Sequence, residues 1–205
     1  MPIKTLLSRL SFRRAAPVDG RRSLADFIAA HGAFVAQTSL YGYVKTRAGF
    51  DYFRLFEDPA FVRSVNIAKW NVYAECVGDL SLFCGAHLLR RLPASAAEMA
   101  ALMDECAARI FDGRALPPDA GDAYPGLTLD TRARIAAAQW TELRDDETPF
   151  ARSPDALVYW APVADMHKKY DADIVRNSVI FKWKEVRDNF RRRIDPPALR
   201  REMDA

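Results

Sequence analysis

Between Asn71 and His87 the chain reads NVYAECVGDLSLFCGAH, which puts two carboxylates, two thiols and an imidazole on one apolar stretch of helical rhythm. Glu75 and Asp79 are four residues apart and therefore neighbours on a helix, where a like-charge pair needs a cation or a proton to be buried. His87 falls near the centre of the apolar face, and His31 occupies a similar place on the preceding helix. If those helices fold back on each other, His31 comes near the level of Glu75, Cys76 and Asp79. A cluster of His31, Glu75, Asp79 and His87 has the chemistry to bind a metal, pass protons or lock the register of a helical hairpin.

The alternative is a hydrogen-bonded core histidine beside carboxylates paired to Lys69, to an arginine or to backbone amides. Motif spacing favours this alternative. There is no His-Glu-x-x-His and no Glu-x-x-His, and Cys84-x-x-His87 lacks a second half. Nucleophile elbows, phosphate-cradling glycine loops and Cys-x-x-Cys are also missing, and His167 in DMHKKYD reads as a solvated helix start. The leading expectation therefore has no catalytic residue, no metal and no cofactor.

The helix that carries this stretch opens at Asp58-Pro59, an N-cap followed by a proline where its missing amide costs little, and is expected to run to Leu92 before Pro93. Val65, Val72, Cys76, Leu80 and Phe83 form one large apolar face. Ala74, Gly78, Ser81 and Gly85 form a stripe of small residues opposite. Glycine within a helix costs about 1 kcal/mol relative to alanine, so two on one stripe imply the close approach of a neighbour. Both sides are expected to be covered, which makes this the long central helix.

The flanking sequence is helical almost throughout. Ser23-Leu-Ala-Asp26 reads as a capping box for a first helix that ends at Gly49, with Lys45 and Arg47 in its last turn. The aromatic connector FDYFRLFE follows, with burial under the end of the bundle expected. Ser95 to Glu98 is a second capping box, and 114–127 a Pro/Gly-rich loop. A fourth helix is expected over 129–146 with Leu129, Ala133, Ala136, Ala137, Trp140 and Leu143 inward. A short turn from Ser153-Pro154 and a last long helix over 163–194 complete the series. The fold expected is all-α, a single-domain helical bundle of five to six helices spanning 23–195, with an N-terminal arm (1–22) and a C-terminal tail (196–205).

The 205 residues carry a net charge of +3, basic at both ends and acidic over 98–155, a pattern open to internal complementarity or to an anionic partner. Three cysteines on apolar helical positions fit buried, reduced thiols, and with no uninterrupted apolar leader the default location is cytoplasmic. In the arm, Ile3, Leu6, Leu7 and Leu10 lie at helical spacing opposite Lys4 and Arg9, followed by Phe12, Arg13 and Arg14. Such a segment suits a partner's groove or an anionic membrane surface, peripheral on the inner face. On the last helix Lys184, Arg187 and Arg191 flank a stripe that includes Trp183 and Phe190. Nucleic-acid stacking there is opposed by the interleaved Glu185, Asp188 and Asp195.

The function expected is thus non-catalytic: an adaptor, assembly or regulatory protein that binds another protein, with homo-oligomerisation open. The rivals are a helical enzyme or metal protein built on the His–carboxylate cluster, and nucleic-acid binding through the last helix.

Overall fold

The computed structural model describes residues 16–113 and 115–204. Its first long element, α1 (Arg21–Ala48), starts three residues earlier than the capping-box reading places it. Ser23 lies inside the first turn, and its hydroxyl reaches back to accept from the amides of Asp19 (2.9 Å) and Gly20 (3.0 Å). Asp26 does not complete that cap. The carboxylate on the Arg21 amide belongs to Glu202, 3.1 Å away and almost the whole chain distant in sequence. At the other end Gly49 closes the helix at φ 55°, a conformation that costs glycine little.

A 3-10 turn (Gly49–Asp51) and the single-turn α2 (Tyr52–Leu55) lead into α3 (Pro59–Leu89). Asp58 caps α3 by accepting from the Ala60 amide at 2.8 Å. The helix stops three residues before the expected Leu92. It is the long central rod, contacted by α1 and by α4 (Ala96–Asp112), α5 (Tyr124–Ala136) and α6 (Arg152–Trp160). Among the described residues, α3 is the one helix long and apolar enough to cross a membrane, and 94% of its apolar window is buried inside the bundle. The last long helix, α7 (Asp165–Arg193), packs on α6 and α1. Asp195 then caps α8 (Pro196–Met203), so the expected tail carries one more helix, with Leu199 fully buried. Counting helices of eight residues or more, the described chain has seven rather than five or six.

Both faces of α3 are covered. Val65, Val72, Cys76, Leu80 and Phe83 are buried on one side. On the small-residue side Ala74 packs with Ala120 and Tyr124, Gly78 faces Thr131 and Arg134, and Gly85 faces Trp140 and Met103. A side chain on either glycine would collide with what lies against it.

The fourth helix departs most from expectation. Its Tyr-Pro-Gly opening looks like loop, yet proline is at home in a first helical turn, and α5 begins at Tyr124 and is finished by Ala136. Leu129, Ala133, Ala136 and Ala137 face solvent, while Thr131 and Ile135 are buried. Alanines carry little directional signal, and a polar demand made by α3 turns this helix. Trp140 is buried as expected, but from the irregular segment after α5.

Part of the uneven charge distribution is resolved inside the molecule. Glu105 in the acidic middle pairs with Arg21, Glu98 pairs with Arg200 (3.1 Å), and Asp119 of the long loop pairs with Lys69 (3.6 Å). The start of the described residues is also tied down. Val18 is fully buried, its amide donates to the Arg193 carbonyl and its carbonyl accepts from the Asp195 amide, so the bundle takes in residues of the segment read as an arm.

Candidate functional site

The acid pair of α3 has its cation, and the cation is Arg134 of α5. Arg134 Nη1 donates to Asp79 Oδ1 at 2.8 Å and Nη2 donates to Glu75 Oε2 at 3.2 Å. This bidentate demand orients α5, because Arg134 must face α3 while Thr131 and Ile135 seat beside it. Gly78 makes the approach possible: a Cβ there would lie 2.1 Å from Arg134 Nη2.

Asp79 has a second set of partners. Its Oδ2 accepts from the amides of Ser153 (2.7 Å) and Arg152 (3.1 Å), the first residues of α6. No side chain of α6's own N-cap position serves these amides, so Asp79 caps the helix from another element. The Ser153 hydroxyl continues the network by accepting from Trp183 Nε1 of α7 at 3.0 Å. One carboxylate on the central helix thus connects α5, α6 and, through Ser153, α7.

Burial pushes the pKa of both carboxyls up, and Arg134 opposes the shift in each. The ionised pair is held at a cost that the guanidinium and the α6 amides offset. A polar cavity of about 260 Å³ adjoins the pair, lined by Glu75, Asp130, Thr131, Arg134 and Arg152. The geometry is that of a structural clasp, in which both Asp79 oxygens and both arms of Arg134 are already engaged.

His31 does not join it. Gly32 lies against Val77 and Tyr73, so the height is as counted, but the His31 ring turns to α7. There its Nε2 accepts from Asn189 Nδ2 at 2.9 Å and the ring sits 4.0 Å from Phe27. Burial and the neighbouring Arg193 lower its pKa, which keeps the imidazole neutral. His87 belongs to a third environment. It is 1% exposed, packed between Phe83 and Phe190, with Nδ1 3.1 Å from Asp145 Oδ2. Burial and Arg91 depress its pKa to about 4.

The expected four-residue cluster is therefore three separate sites, because α3 presents Glu75 and Asp79 to α5 and α6, away from His31. Among the described residues no group of three His, Cys, Asp or Glu side chains is arranged to hold a metal ion. Cys76, Cys84 and Cys106 are buried thiols whose pKa burial raises.

Two of the three basic residues on the last helix are engaged within the molecule. Arg187 pairs with Glu147 at 3.1 Å and lies over Phe150, while Arg191 donates to the Asp145 carbonyl and lies over Phe83. Lys184 stands in solvent, and Arg191 is exposed beside these contacts. Trp183 and Phe190 are fully buried core residues. The candidate contact residues Ile3, Lys4, Leu6, Leu7, Arg9, Leu10, Phe12, Arg13 and Arg14 lie outside the described residues.

The residues missed from sequence are Arg134 and Asp145. A buried acid pair demands a cation, but 30 lysines and arginines were candidates and no spacing rule selects one. The aromatic connector also differs from expectation. Tyr52, Phe56 and Phe61 interlock by edge contacts at 5.2 and 5.5 Å, but Phe50 and Phe53 project into solvent at 106% and 78% exposure. With α2 only one turn long, its outer side has nothing above it. Comparison of the chain with family models, with curated proteins and with solved structures gives no match.

Proposed function

We propose that this chain is a non-catalytic helical adaptor or assembly protein that binds another protein through its aromatic corner. The observation that carries the reading is the exposure of Phe50 and Phe53 on a platform of packed rings. Exposed aromatics cost solubility and are over-represented where a partner buries them, and a rigid base reduces the entropy lost on docking. The carboxylates, imidazoles and thiols of the interior serve packing and helix capping, which leaves the surface as the place for function.

The test is affinity capture with the whole chain, identification of the bound protein, and reconstitution from purified components. Phe50→Ala with Phe53→Ala is expected to leave folding intact, since both side chains are exposed, and to weaken binding by at least tenfold, as for hot-spot aromatics. Unchanged affinity would remove the corner from the account.

A second reading follows from the apolar–basic pattern of Ile3 to Arg14, which suits an anionic membrane surface on the cytoplasmic side. It expects flotation with anionic but not neutral vesicles, weakened by salt and lost on deletion of residues 1–14. Equal recovery with both vesicle types would exclude it.

A further inference from the structure

Helix α7 is apolar on two sides. Val175, Val179, Trp183, Val186 and Phe190 face the core, and on the opposite side Tyr170, Ile174 and Phe181 stand 76%, 74% and 75% exposed. At 100° per residue Asn177, Lys184 and Asp188 share that outer side, so it forms a ridge along most of the helix. A helix buried on one side has no folding reason to carry large apolar residues on the other. The charges along the ridge indicate what covers it. Lys169 and Asp173 lie towards the start, Lys184 and Asp188 towards the end.

Laid antiparallel on a copy of itself, the ridge places Lys169 opposite Asp188 and Asp173 opposite Lys184. Moving the crossing by one residue, within the reach of the lysine side chains, brings Ile174 against Phe181, and each contact occurs twice. This is the self-complementarity that a two-fold interface requires. Laid parallel and in register, the ridge would set each charge against its like. In the described chain Asp173 and Asp188 have only exposed partners one turn away on their own helix, Arg176 at 3.3 Å and Arg191 at 3.5 Å, and these can be shared or released.

We infer that a second copy of this chain covers the outer ridge of α7, the two helices crossing antiparallel near Asn177 with Ile174 of each against Phe181 of the other. A single crossed helix pair is at the small end of specific interfaces, so association in the micromolar range is expected.

Sedimentation of the full chain over a concentration series tests this directly. The wild type should dimerise. Asp173→Lys alone and Lys184→Glu alone should each raise the dissociation constant about tenfold, because each sets like charges together twice, and the two combined should restore it. All these positions are exposed, and circular dichroism checks that each variant is folded. Direction is read by cross-linking through single introduced thiols, the native cysteines being buried. With a short bismaleimide, Asn177→Cys should give a covalent dimer and Met166→Cys should not, since antiparallel helices hold that second pair some 30 Å apart. A chain monomeric at every concentration, a dimer indifferent to the charge reversals, or equal cross-linking at both positions would overturn the proposal.

Discussion

Arg134 reaches Asp79 through the space left by the missing side chain of Gly78, with its Nη1 2.8 Å from Oδ1. The pair explains why two features of α3 that look unrelated in sequence, a small-residue stripe and an acid pair, belong together. The glycine lets the guanidinium come close, and the acids give it a reason to. The same approach carries α5 onto the rod, while the far oxygen of Asp79 holds the start of α6.

Glycine-to-alanine replacements should therefore divide by position. Helix propensity alone favours alanine by about 1 kcal/mol. At Gly42 of α1 an added Cβ meets nothing within 4 Å, so Gly42→Ala should raise stability by roughly that amount or a little less. At Gly85 the Cβ would sit 2.3 Å from the buried Trp140 ring, and at Gly78 it would lie 2.8 Å from Thr131 Cγ2 as well as against Arg134. Overpacking of this kind costs ~1–3 kcal/mol, so both of these substitutions should lower the urea midpoint. An increase at Gly85 would mean that Trp140 yields freely.

Removing the guanidinium should be more damaging than neutralising either acid. Arg134→Met leaves Glu75 and Asp79 buried beside each other without their cation, a loss in the range of ~3–5 kcal/mol. Glu75→Gln should cost far less, because burial raises the pKa of Glu75 and so already penalises its charge, while Asp79 still pairs with Arg134. Asp79→Asn should lie between them. An amide cannot accept from Arg134 and from two backbone amides at once, so at least one donor of α6 or α5 is stranded. Equal destabilisation by all three, measured by denaturant unfolding at neutral pH, would contradict the clasp.

How far the sequence alone could lead depends on the kind of signal each feature leaves. Caps are local, so Asp58-Pro59 and the Ser95–Glu98 box are legible and occur as read. Large apolar side chains point, so the Val65 to Phe83 face is legible too. The alanine-rich fourth helix offers no such pointer, and its orientation is set by a long-range ion pair. Ser23 misleads because the acid that completes the α1 start, Glu202, comes from the opposite end of the chain. The His31–carboxylate cluster fails for a related reason: residue counting gives height along a hairpin, but not which way a ring turns.

The remaining prediction concerns acid stability and His87. Its imidazole ordinarily titrates near pH 6.5, and in the folded protein burial and Arg91 hold it down to about 4. The folded state therefore resists taking up a proton that the unfolded chain accepts readily. His87 contributes stability that is fully present above pH 6.5 and is lost as the pH falls towards 4, on the order of 3 kcal/mol across that window. His31, lowered by burial and Arg193, acts with the same sign. Glu75 and Asp79 act oppositely, because their raised pKa values mean the folded protein binds those protons first. Asp145 is held ionised below the usual aspartate value by its hydrogen bond with His87 and by Arg191, so its contribution disappears only in stronger acid. Urea midpoints measured between pH 7 and pH 4 should accordingly fall for the wild type. They should fall less for His87→Gln, which keeps a donor for Asp145 but has no proton to take up. A wild-type midpoint that stays level over this range, or a His87→Gln chain that loses stability just as steeply, would show that the buried imidazole is not the group that makes acid unfold the protein.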